Sequence, residues 1–168
     1  MLRREFTFGL AAGLAALSLG YPAHSEDQQT LIKAMNDVKV TLQQGLTSSE
    51  REGRPISAKF ELEDGKLQLS VYTEKNGKFF EVIVDHSNGS VVKSEAITEG
   101  DDLTHAQSQS AAMANAKIQL KDAVDRAIGK AAGARALSAT AEMRGGHPVA
   151  SIELLRQGRI ENADEQLD

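Results

Sequence analysis

The 168-residue sequence contains no cysteine, which excludes disulfides, thiolate metal sites and a thiol nucleophile and leaves packing as the source of stability. It also lacks any basic cluster, with 19 Lys and Arg set against 24 Asp and Glu. Nucleic acids and anionic lipid surfaces are held by several Lys or Arg placed on phosphates, so this balance argues against both as partners. Long apolar runs are missing: the best, Phe8 to Leu19, is too short and too rich in Gly and Ala to anchor in a bilayer. Signatures of catalysis are scarce as well. There is no Gly-x-Ser-x-Gly elbow and no His-Glu-x-x-His, and Gly129-Lys130-Ala131-Ala132-Gly133 lacks the Gly-x4-Gly-Lys-Ser/Thr spacing of a phosphate loop. It reads as the fraying end of a helix.

What is present begins with a leader. Arg3 and Arg4 precede the apolar run, and Gly20-Tyr21-Pro22-Ala23-His24-Ser25 follows it. A basic start, a short apolar stretch and a small-residue exit are the parts of an export signal, with cleavage placed after Ser25. Arg3-Arg4-x-Phe6 resembles a twin-arginine signal but carries Glu5 and has no Ser or Thr before the arginines, so a general secretory signal fits nearly as well. Either route implies a bacterial envelope and most simply the periplasm. The remaining 143 residues carry a net charge of −6 once Arg3, Arg4 and Glu5 are removed, and suffice for one ordinary domain or two very small ones.

The strongest structural signal lies between Pro55 and Val92. Ile56, Ala58, Phe60 and Leu62 alternate with polar residues, as do Leu67, Leu69 and Val71, and Phe79 to Val84 makes a third run. Asp64-Gly65, Asn76-Gly77 and Asn88-Gly89 separate these runs and favour the positive φ of tight hairpins, so the segment predicts an antiparallel meander. All four aromatics beyond the leader (Phe60, Tyr72, Phe79 and Phe80) fall in it, which places the main core there. Ahead of it, Leu31, Met35, Val38, Leu42 and Leu46 form one stripe of an amphipathic helix. After it, residues 98–115 read as a linker gaining helical character towards Ala112, with too little apolar surface to fix its own position. A second helix carries Leu120, Ala123, Val124, Ala127, Ile128 and Ala131 on one face, and two more alternating runs follow, Leu137 to Met143 and Val149 to Leu154.

The second half repeats the first. A shift of 81 carries Ile56, Ala58, Phe60 and Leu62 onto Leu137, Ala139, Ala141 and Met143, Gly65 onto Gly146, and Gly77 onto Gly158. Beyond residue 160 the correspondence fails, since Val82-Ile83-Val84 meets Ala163-Asp164-Glu165, and the last strand of the second copy is expected to be lost or frayed. The fold class is therefore α+β: two copies of one helix packed on an antiparallel β-meander, with a leader at 1–25, units at 26–97 and 116–168, and a linker at 98–115.

The unit resembles the PepSY domain. The residues that carry the resemblance are Ala58 to Lys66, with its Asp64-Gly65 turn, Asn76 to Asp85, and Ser87 to Val92; Ile118 to Ile128 is similar to the family's opening helix. The resemblance implies association with peptidases, where such domains occur in propeptides and are thought to inhibit or chaperone the enzyme. It makes an exported, non-catalytic binding protein the leading expectation, with an envelope peptidase or other envelope protein as partner. A structural protein that completes its weaker second sheet against a partner or another copy is the alternative, and a metal or redox accessory role comes third.

No cofactor, metal ligand or catalytic residue is assigned. His86, His105 and His147 each lie beside a turn or the linker, and Asp85, His86, Asp101, Asp102 and His105 can be drawn as a metal site only without a spacing that fixes the ligands. Glu61, Glu63, Asp64, Glu74 and Glu81 are expected on turns or a solvated strand face. A carboxylate pair there would serve acid–base chemistry only if burial shifted a pKa.

Overall fold

The computed structural model describes residues 23–168, and the leader assigned to 1–25 lies outside them except for its last three residues, which open the first helix. In chain order the elements are α1 (Ala23–Ala34), a 3-10 turn (Met35–Asp37), α2 (Leu42–Ser49), β1 (Arg54–Glu63), β2 (Lys66–Lys75), β3 (Lys78–Val84), β4 (Val91–Ile97), α3 (Gly100–Ala114), α4 (Leu120–Lys130), β5 (Arg135–Arg144), β6 (His147–Arg156) and β7 (Arg159–Gln166). The fold is α+β. All seven strands form one antiparallel sheet in the order β4-β3-β2-β1-β5-β6-β7.

Turn chemistry positions the strands. Asp64 and Gly65 take φ of 50° and 74°, and Asn76 and Gly77 take 55° and 73°, the paired positive values that let a two-residue turn follow the strands' twist. The starts of β1, β2 and β3 recur 81 residues later in β5, β6 and β7, and the irregularity between Pro55 and Ser57 recurs between Ala136 and Ser138.

Alternation gives the sheet two faces. On the front, Ile56, Phe60, Leu69, Val71 and Val82 join Leu137, Ala139, Ala141, Ala150 and Ile152 in one continuous core beneath α2 and α4. On the back, α3 crosses the sheet, packing chiefly on β5 and β1.

Three expectations need correction. The stripe Leu31 to Leu46 is broken between residues 38 and 41, because Thr41 forms a capping box with Gln44 that starts a new helix. Lys39 and Val40 also donate their backbone N–H to the His86 carbonyl, an alternative to helical bonding. Residues 98–115 are not a bare linker: α3 is helical from Gly100, with Asp101 and Asp102 in its positively polarised first turn. Small Ala106 and Ala112 are fully buried, and Gln109 is buried while accepting a bond from Ser57 Oγ at 2.9 Å. Thirdly, Ala163-Asp164-Glu165 forms part of a full strand, β7, since an edge strand needs apolar residues only where it is covered. Tyr72 is buried in the core as expected, but it enters from the back face, pairing across the strand with Ser57 and Glu81.

Candidate functional site

The histidines do different things. His147, 65% exposed, has Nδ1 2.7 Å from Asp168 Oδ2, and this contact holds the Asp168 carboxyl below its usual range. His86 contributes its backbone carbonyl to the 38–41 segment. His105 lies on α3, half-buried. Asp85 accepts from Ser87 N, Ser87 Oγ and Asn88 Nδ2, and these bonds lower its pKa; its role is to shape the β3–β4 turn. Among the described residues no three His, Asp or Glu side chains converge as a metal site.

The acidic residues are less uniform than a wet face implies. Glu63 and Asp64 sit at the β1–β2 turn, and Glu74 closes the next one by accepting from Gly77 N at 2.8 Å. Glu81 and Glu61 instead enter a network on the back face. Ser70 Oγ donates to Glu81 Oε1 at 2.7 Å, and Gln68 Nε2 donates to Glu61 Oε1 at 3.1 Å. Lys59 Nζ lies 2.5 Å from Glu61 Oε2. Tyr72, 2% exposed, bonds through its hydroxyl to Asp102 at the start of α3.

Burial, then the nearby charges of Glu81 and Asp102, raises the Tyr72 pKa far above its usual value. The phenol is therefore held in its O–H form. Burial is also the main cause raising the Glu81 pKa; Glu61 and Asp102 add to it, while the Ser70 bond and Lys93 oppose it. These groups bond to one another, and the arrangement seats the N-terminal turn of α3 on the sheet. Sequence reasoning missed it, although Asp101-Asp102 after Gly100 was a helix-start signal and Tyr72 falls on the polar register of β2.

Arg135 was also missed. Its guanidinium donates to the Met35 carbonyl at 3.0 Å and to the Val38 carbonyl at 3.3 Å, tying the broken helical segment to β5. A cleft of about 340 Å³ opens between α2, the start of β1 and the α3–α4 connection, floored by Leu46, Pro55, Met113 and Leu120. Arg54 on its rim is already engaged, donating to the Met113 carbonyl and lying 3.5 Å from Glu74.

The two ends of the sheet remain. Among the described residues β4 and β7 each pair with one neighbour, β3 and β6 respectively. Glu165 of β7 points to the front face, 7% exposed at its side chain, and receives Lys130 of α4 at 2.6 Å. The chain end is fixed alongside: Leu167 is fully buried, and its carbonyl accepts from Lys117 N and Ile118 N. An edge strand held this firmly presents its outer backbone groups in a fixed row, the template that strand addition uses.

The class that this architecture defines is an α+β protein with one seven-stranded antiparallel sheet covered by helices on both faces. No protein-family model matches the chain, and no curated protein matches it. Among solved structures it is similar to a crystal structure from Clostridium difficile 630 of a protein assigned provisionally as a lipoprotein. The identity is 11%, the alignment covers 79% of this chain and 97% of the other, and the TM-score is 0.40. The resemblance to PepSY domains thus stands on turn chemistry and periodicity alone. No described helix is long and apolar enough to cross a membrane.

Proposed function

We propose that this chain is an exported, non-catalytic binding protein of PepSY-like build that acts in the periplasm on an envelope peptidase, receiving a strand of the enzyme on β7. The observation that carries the reading is the open β7 edge, eight residues long and anchored from behind by Lys130–Glu165 and Leu167. Main-chain hydrogen bonds along such an edge supply affinity, and side chains at alternate positions supply selectivity. Export is supported by the leader, and the peptidase by the PepSY resemblance.

The test is to mix the purified protein with peptidases of its own envelope and measure both complex formation and residual activity. Binding with loss of activity is expected. Proline placed in turn at Asn162 and Ala163 then separates the two backbone directions, because adjacent residues of an edge strand point their N–H groups to opposite sides. The variant whose lost N–H faced outward keeps the fold and loses the enzyme. Unchanged activity across the peptidases, with no complex, removes the reading.

A further inference from the structure

The opposite edge of the sheet has a different character. β4 reads Val91-Val92-Lys93-Ser94-Glu95-Ala96-Ile97, and its five inner residues are all exposed, Val92 at 61%. Its register on β3 places Lys93 beside Ile83 and Glu95 beside Glu81, on the back face, and Ser94 beside Val82 and Ala96 beside Phe80, on the front. Lys93 and Glu95 lie 2.8 Å apart along the strand, with side chains 51% and 55% exposed. Around Ser94 the strand is therefore a charge palindrome: a cation on one side, an anion at equal distance on the other, and apolar residues beyond both.

We propose that β4 pairs antiparallel with β4 of a second copy of this chain, about a twofold axis at Ser94, joining the two sheets into one. An isologous contact requires that the same patch complement itself, and this strand does so in one register. With Ser94 opposite Ser94, Lys93 faces Glu95 of the partner subunit and Glu95 faces the partner's Lys93. The same register brings Val92 up to the partner's Ala96, and the regular pairing ends there, because β4 bulges at Val92, where its register on β3 passes from Ile83–Lys93 to Val84–Val91. Because side chains alternate between faces, the registers that keep each face intact differ by one residue on each strand. A step one way opposes Lys93 to Lys93, and a step the other way opposes Glu95 to Glu95. Like charges directly opposite one another destabilise a strand pair, whereas opposite charges support it. The pairing also gives partners to the open backbone of β4 and covers Val92, the most exposed large apolar side chain described. It leaves β7 free, so its fate does not depend on the peptidase reading.

Sedimentation velocity over a concentration series at low salt tests this. The unaltered chain is expected to form a dimer. Lys93→Glu and Glu95→Lys are each expected to weaken it on the order of tenfold or more, because each places like charges opposite one another twice. Both positions are exposed, so neither change threatens the fold. Mixed together, the two single variants are expected to form a heterodimer, and the double exchange Lys93→Glu/Glu95→Lys to restore the homodimer. Ser94→Cys gives an independent reading in a chain with no other cysteine. Residues directly opposite across an antiparallel pair fall within disulfide reach, so Ser94→Cys is expected to oxidise to a covalent dimer and Lys93→Cys not to. A chain that stays monomeric to about 100 µM, a dimer indifferent to the single reversals, or equal crosslinking at both positions overturns the proposal.

Discussion

The two halves of the sheet fill one core in different proportions of strand and helix. In β1 and β2 the strands carry much of the bulk, with Phe60, Leu69 and Val71 all buried, and α2 adds Leu42 and Leu46 while making room at Gly45. Gly45 of α2 stands over Leu69 so closely that an added Cβ would lie 2.4 Å from Leu69 Cδ2. In β5 and β6 small Ala139, Ala141 and Ala150 are buried beside Leu137, Ile152 and Leu154, and Leu120 and Val124 of α4 and Leu167 add the missing bulk. Since interiors reach one packing density whichever element supplies the atoms, a sheet poor in large side chains is not a weak sheet. It requires an amphipathic helix and a docked chain end to complete it.

The comparison can be broken most sharply at Phe60 and Ala141, which occupy equivalent positions 81 residues apart. Phe60→Ala should cost about 3–5 kcal/mol in urea denaturation, because no neighbour stands ready to fill the space. A loss below about 1 kcal/mol would mean that bulk in the first half is dispensable. The converse change, Ala141→Phe, should cost about 1–3 kcal/mol through overpacking against α4. If it were neutral, the second half would be loosely packed after all.

The smallest effect concerns the back face. The pKa of Glu81 is raised in the fold, so the folded state favours the protonated carboxyl, and the stability this contributes is present at low pH and declines as pH rises through the folded value. Glu81→Gln removes the ionised form while keeping an acceptor for Ser70. Thermal melts should therefore show the variant gaining on the unaltered chain at pH 7, with the advantage shrinking as the pH falls through the raised folded value and gone below the ordinary carboxylate value. An advantage independent of pH would show that burial of charge is not what distinguishes this face.

The hairpins were legible because Asp64-Gly65 and Asn76-Gly77 state their backbone geometry in the residues themselves. What escaped depended on contacts between distant segments. α3 looked like a linker because its buried side is built from Ala106, Gln109 and Ala112, and only the meeting of Gln109 with Ser57 makes that side an inner one. β7 looked frayed because its composition is that of an edge, and α1 and α2 looked continuous because hydrophobic spacing does not register the capping box at Thr41. The candidate site divided along the same line. No spacing identified Tyr72 and Asp102 as neighbours, whereas the open edges followed once the strand order was known.

The two halves meet along a short seam, Ser57 opposite Thr140, Ala58 opposite Ala139 and Lys59 opposite Ser138. Every other strand pair joins consecutive strands through a local turn, whereas Ala139 comes 81 residues after Ala58. Bringing those ends together carries the loop-closure entropy of a long chain, offset by three residue pairs and by the packing of α3 and α4 across both β1 and β5. Hairpins joined by tight turns form in microseconds, while distant pairings must wait for them. The centre of the finished sheet is thus its pairing with the largest loop-closure cost, and wherever it is open both inner strands present raw edges to other chains.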